Sequence, residues 1–199
     1  MTTVAVKTTV NRQLLSFDMG LRNLAFCQLQ LVPQSSQPTI VAWEVADVVG
    51  AKRNAKRMTC QRATELLLDY LRVRFPALIP NCTVLVEQQP MRARCANLKM
   101  KVLSHVLQAH FHGLGFPVRF VSPRCKLAVL GDGGSKRAPP SSSSPSSRNV
   151  YKANKRQAVG DCRTVLATGT FDRRWTQFFE RLPKKDDAAD CLLQALSTL

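Results

Sequence analysis

Residues 13–32, QLLSFDMGLRNLAFCQLQLV, run apolar on either side of a Gly-Leu-Arg-Asn interruption, and TIVAWEV, 39–45, follows a Pro/Ser/Gln turn cluster. Strand side chains alternate between two faces, so this pattern predicts three consecutive strands joined as antiparallel hairpins before any helix begins. Residues 54–75 then place Met58, Ala63, Leu66, Leu67, Tyr70 and Leu71 on one helical face, with Asn54 as cap and Pro76 past the end. CTVLVEQQP, 82–90, is a short buried strand stopped by proline, and residues 95–112 form a second amphipathic helix closed by Gly113. PVRFVSP, 117–123, gives a fifth strand. The segment 131–149, GDGGSKRAPPSSSSPSSRN, is too poor in apolar groups to order itself and is expected as a flexible surface insertion. A basic helix over 150–169, an aromatic segment over 171–182 and a final helix complete the chain. The expected plan is α/β, a five-stranded mixed sheet flanked by helices, in one domain over 14–199 behind a flexible 1–13.

Asp18 stands inside the apolar run LLSFDMG. An acid in a core strand is paired, bound to a cation, or starting a local turn, here with Gly20. Glu87 ends TVLVE as Asp18 ends its own strand. If these strands are parallel neighbours, both carboxylates emerge at one sheet end, where open α/β sheets bind ligands. The alternative for Glu87 is an ordinary solvated strand terminus.

Only 13 acidic side chains oppose 29 Lys and Arg, yet Asp186, Asp187 and Asp190 crowd into five positions of LPKKDDAADCLLQAL, 182–196. Asp187 and Asp190 are spaced i, i+3, and Asp186 and Asp190 i, i+4, so either pair shares a helical face. Helix-dipole stabilisation after Pro183 accounts for Asp186 but not for Asp190, a turn further in. Converging carboxylates raise one another's pKa unless a cation joins them. Mg²⁺ or Mn²⁺ suits oxygen ligands, and two such ions ~3.5–4 Å apart clamp a phosphodiester.

The formal net charge of +16 is spread along the chain, at Lys52/Arg53/Lys56/Arg57, Arg92/Arg94/Lys99/Lys101, Lys152/Lys155/Arg156 and Arg173/Arg174. It favours a polyanionic partner, nucleic acid or an anionic membrane surface. Seven scattered cysteines without a C-x-x-C pair read as reduced thiols of an intracellular protein. His105, His110 and His112 lack cysteines at zinc-ligand spacing. No apolar run approaches the ~20 residues of a membrane span, and no secretory leader is expected.

SFDMGLRNLAFC, LVEQQP, YKANKRQAV and KKDDAADCLL together resemble the Holliday junction resolvases of poxviruses, and with them the fungal mitochondrial resolvases and bacterial RuvC, all of the RNase H-like superfamily. The resemblance covers about residues 14–196 and rests on the ordered set rather than on any one motif. It implies an RNase H-like fold and a Mg²⁺-dependent endonuclease, with Mn²⁺ as substitute, that cuts branched four-way DNA as a homodimer without a small-molecule cofactor. Asp18, Glu87, Asp187 and Asp190 match its metal-binding catalytic acids, with Asp186 the ambiguous assignment. Cleavage would leave a 5′-phosphate and a ligatable 3′-hydroxyl. Lys152, Lys155, Arg156, Lys184, Lys185 and Gln88 are the expected DNA contacts, with Gln89 beside them. Trp175, Phe178 and Phe179 read as core. The apolar face of 95–112, centred on Leu103 and Leu107, is the expected dimer contact. The setting implied is a virus-infected cell, with the mitochondrion as alternative. The same acids would serve a nuclease of RNA–DNA hybrids or flaps, and a binding module that has lost catalysis is a third reading. The sugar kinase and actin architecture, which also opens on D-x-G, needs a second domain that 199 residues do not hold.

Overall fold

The computed structural model describes residues 11–199 except 34, 36, 51–53, 56, 77, 78, 80, 90–96 and 129–146. Its strands are β1 (Arg12–Asp18), β2 (Leu24–Leu31), β3 (Thr39–Ala46), β4 (Cys82–Glu87) and β5 (Val118–Val121). Its helices are α1 (Cys60–Arg74), α2 (Leu98–Gly113), α3 (Ser147–Ala167), α4 (Arg173–Arg181) and α5 (Lys185–Leu196), with a 3₁₀ turn at Pro123–Ala128 between β5 and α3. The sheet order is β3-β2-β1-β4-β5. The first three strands pair antiparallel as hairpins, while β4 runs parallel to β1 and β5 parallel to β4. This is the five-stranded mixed sheet of an RNase H-like fold.

Strand parity divides the core. Leu15, Phe17, Phe26, Val84 and Val86 face α1 and α2, where Phe17, Phe26, Phe75 and Phe111 pack with ring centroids 5.2–5.8 Å apart. Leu14, Cys27, Ile40, Leu85 and Val121 face the opposite way, against α3, α4 and α5. The same alternation turns Ser16 and Asp18 of β1 toward the α5 side, and likewise Glu87 two residues after Leu85. Phe179 is buried there and Trp175 and Phe178 pack at its margin, as core residues.

Several boundaries differ from those expected. Helix α1 starts at Cys60, with the Thr59 hydroxyl accepting from the Arg62 amide at 3.2 Å, so Thr59 and not Asn54 is the cap. Helix α2 starts at Leu98 under Asn97, and the left-handed residue beyond it is Gly115 (φ +86°), not Gly113. Residues 147–149 of the predicted insertion belong to α3, and 131–146 lie outside the described residues. Leu103 and Leu107 are 1% and 0% exposed inside their own core, which removes them as dimer contacts: the apolar stripe of α2 is consumed by the sheet beneath it. Among the described residues Cys27, Cys60, Cys82, Cys125, Cys162 and Cys191 are free thiols, and no helix is long and apolar enough to cross a membrane.

Candidate active site

Leu15 pairs with Val84 and Phe17 with Val86 across the parallel β1–β4 ladder, so the next residue of each strand is Asp18 or Glu87. The two carboxylates thus leave the sheet side by side at one end. Helix α5 brings the others. It lies over β1 and β2, with Ala188, Ala189, Cys191, Leu192, Leu193 and Ala195 fully buried. Buried Gln194 pins it by donating from Nε2 to Ser16 Oγ (3.1 Å) and to the Phe17 carbonyl (3.3 Å). Asp190 lies one turn before Gln194, and Asp187 nearly one turn earlier again, so this anchor beside Asp18 directs both acids to the same sheet end.

A cleft of about 330 Å³ is lined by Asp18, Met19, Glu87, Pro123, Lys126, Asn154, Lys155, Ala158, Asp187 and Asp190. The four acids singled out by sequence therefore share one cleft, and Asp186 is not part of its lining. Asp186 instead pairs with Lys155, which also stands 4.0 Å from Asp187. Lys184 Nζ donates to Asp187 Oδ2 at 2.8 Å and to the Asn23 side-chain oxygen at 3.1 Å with that amide oriented to satisfy both its neighbours. Lys185 turns the other way, donating to the Leu182 carbonyl at 2.9 Å with Glu180 at 3.9 Å. Lys152 and Arg156 are exposed on α3; Gln88 is exposed, with its backbone N–H donating to the Val121 carbonyl at 2.8 Å.

The residue that sequence reasoning missed is Lys126, on the 3₁₀ turn. Its ammonium donates to Glu87 Oε2 and lies 3.3 Å from Asp190 Oδ2, with the side chain only 8% exposed. The turn follows β5, which runs parallel to β4 and so ends where Glu87 does. Parallel topology was the available signal.

Burial pushes the Asp18 carboxyl well above the ordinary carboxylate range; Lys126 pulls it down, while Glu87, Asp190 and Asp187 push it further up. Asp190 is raised by burial first, with Lys126 opposing and Glu87 and Asp187 adding. Asp186 goes the other way: burial disfavours its charge, but the Lys155 hydrogen bond and charge outweigh that and hold it below the ordinary value. Burial also lowers Lys126, yet Asp18, Asp190 and Glu87 together keep it above the usual lysine value, so it stays charged.

Among the described residues no group of three or more His, Cys, Asp or Glu side chains stands at metal-holding geometry. The Lys126 ammonium sits between the Glu87 and Asp190 carboxylates. The donor set nevertheless fits a hard divalent cation: all oxygen, anionic, partly desolvated, and already drawing in a positive charge.

The β1–β2 loop beside Asp18 is tight. A Cβ at Gly20 would lie 2.7 Å from the Asn23 carbonyl oxygen. Gly20→Ala is expected to destabilise the protein by about 1–3 kcal/mol through overpacking. Thermal melting checks this, and a melting temperature equal to wild type would show that the loop relaxes freely.

The model of the family described as mitochondrial resolvase Ydc2 / RNA splicing MRS1 matches residues 14–114. No curated protein matches the chain. Among solved structures, the fold is similar to the fowlpox virus resolvase with its substrate Holliday junction DNA, at 17% identity over 94% of this chain and 95% of that one, TM-score 0.59. A second structure, the fowlpox virus Holliday junction resolvase, aligns at 14% identity over 94% and 96%, TM-score 0.57. Thermus thermophilus RuvC aligns at 17% identity over 93% of this chain and 92% of its own, TM-score 0.54. At such identities the likeness is one of fold.

Proposed function

Because the chain belongs to the family of mitochondrial resolvase Ydc2 and RNA-splicing MRS1, we propose that it is a metal-dependent nuclease that resolves four-way DNA junctions. The observation that carries this reading is the convergence of Asp18, Glu87, Asp187 and Asp190 on one cleft beside the basic helix α3. These four would hold Mg²⁺, or Mn²⁺ in its place, as two ions; Asp186, turned to Lys155, would not. The bound metal supplies Lewis-acid polarisation of a phosphate and neutralises its developing charge.

The chain's own residues do the rest. Lys155, which lines the cleft, and Lys184 both stand beside Asp187 and would meet the phosphate approaching the site. Lys152 and Arg156, exposed on α3, extend its positive face and contribute salt-dependent backbone contacts, and Gln88 and Lys185 are proposed as further DNA contacts. Recognition is of branched shape more than of sequence. We also propose one nuclease domain over 14–199, with the Ser/Pro-rich insertion ending at 146, where α3 takes over, that works as a homodimer. The sequence match is to a family described by a mitochondrial resolvase, whereas the poxvirus likeness is of fold alone. That supports the mitochondrial setting over the viral one.

A second reading is a nucleic-acid-binding protein that does not cut; the family's description names an RNA-splicing protein beside the resolvase. Incubation with a 5′-labelled four-way junction, linear duplex and RNA–DNA hybrid, with Mg²⁺ or EDTA, separates the possibilities. Paired ligatable nicks in the junction alone, and only with metal, are expected. Tight binding with no cutting under Mg²⁺ or Mn²⁺ would establish the second reading instead. Cleavage of the hybrid would retain the acids and change the substrate.

A further inference from the structure

Lys126 holds a position that a metal would need. It contacts Glu87 and Asp190 from a buried site, in the cleft that Asp18 also lines. The acids that share this cleft outnumber the one buried ammonium, so the lysine moderates their mutual repulsion without cancelling it. A divalent ion binds such oxygens at ~2.0–2.1 Å, and an ammonium cannot share them at the same moment without strong like-charge repulsion.

The lysine is also able to leave. It stands on a six-residue 3₁₀ turn rather than within an α-helix or strand, its side chain is a flexible four-carbon stem, and it lines the 330 Å³ cleft. Withdrawal requires rotation about side-chain bonds and no break in the sheet or in α5.

We propose that Lys126 is an exchangeable internal cation, which occupies the Glu87–Asp190 site in the metal-free protein and must be expelled when a divalent ion binds. This rests on the metal reading above and adds a device to it: the protein folds with its acids partly neutralised and sets a threshold for metal uptake. Lys126 is then a positioning residue for the acids in one state and a competitor for them in the other. Lys155 and Lys184 stand instead against Asp186 and Asp187, so the role is assigned to Lys126.

The test uses the full chain freed of metal with EDTA and then dialysed. Mn²⁺ binding is measured by titration calorimetry, and melting temperature with and without Mn²⁺, for wild type, Lys126→Met and Lys126→Arg. Lys126→Met is expected to bind Mn²⁺ about tenfold more tightly than wild type, a factor equal to ~1.4 kcal/mol. It should melt lower than wild type without metal and gain more on adding it. Lys126→Arg, which keeps the charge, is expected to show no such gain in affinity. Equal or weaker Mn²⁺ binding by Lys126→Met overturns the exchange while leaving the metal site standing. If neither wild type nor Lys126→Met binds Mn²⁺, the metal reading itself is overturned. Should Lys126→Met not fold, Lys126→Arg binding more tightly than wild type would still refute the competition, because the charge is retained.

Discussion

Asp18→Asn is expected to melt higher than wild type in EDTA at pH 7 and to cut a four-way junction on the order of 10²–10³-fold more slowly, the effect of removing one electrostatic stabiliser of a transition state. Burial raises the Asp18 carboxyl, and three neighbouring acids oppose its charge against the single help of Lys126. A carboxyl raised in the folded state above its ordinary value of 3.8 gives its stability at low pH and loses it as pH rises through that window. Asp190 adds in the same direction. Asp186, held low by Lys155, has the opposite sign, stabilising above the ordinary carboxylate value and losing that as pH falls. Neutral asparagine removes the Asp18 penalty, and a gain of about 0.5–2 kcal/mol, the common size for a single stabilising substitution, is expected. The gain should shrink as pH falls and wild-type Asp18 takes up its proton, and Mn²⁺ should raise the wild type more than the variant. Melting curves from pH 4 to 8, beside the junction assay, decide it. A variant that melts lower at pH 7 would mean that ionised Asp18 is a structural partner, and one that still cuts normally would remove it from the chemistry.

Most of this site was legible because strand parity and topology are written in local patterns. The alternation in QLLSFD determines which face Asp18 takes, and the apolar CTVLVE ending in an acid determines Glu87 in the same way. Their proximity needed only the parallel pairing of β1 and β4. Helical spacing likewise tied Asp187 to Asp190, but it could not choose between Asp186 and Asp187, because both spacings suit one face. What separates them is Lys155, 31 residues away, which engages Asp186 outside the cleft lining. Lys126 was invisible for a related reason: a lysine in SPRCKL carries no periodic signature, and its value comes from where a parallel strand delivers it. The α2 expectation failed because an apolar helical stripe states that something covers it and not what does, and the cover is the chain's own sheet.

Trp43→Ala is expected to cost about 3–5 kcal/mol, the range for truncating a large buried aromatic. At about 2–4 °C per kcal/mol for a chain of this size, the melting temperature should fall by roughly 6–20 °C. Trp43 is 4% exposed on β3, stacks on Phe179 with centroids 5.5 Å apart at 11°, and meets Phe178 at 5.4 Å. Its indole N–H donates to the Ala188 carbonyl at 3.2 Å, and Trp175 returns a bond to the Ile40 carbonyl at 3.1 Å. The two tryptophans thus fasten α5 and α4 to the sheet edge. Ala188 lies between Asp187 and Asp190, so loosening it disturbs the acids as well as the core. Trp43→Phe keeps much of the stacking and loses the one hydrogen bond, and should cost only about 1 kcal/mol. If Trp43→Ala melts within ~2 °C of wild type, α5 is held by its contacts with β1 and β2 alone. If instead the large loss occurs and Mn²⁺ binding weakens with it, while Trp43→Phe retains both, the helix that carries the acids is positioned from the far edge of the sheet. The site would then depend on β3, the strand most distant from Glu87 on its side of the sheet, because a rigid helix transmits a displacement at one end to the carboxylates along its length.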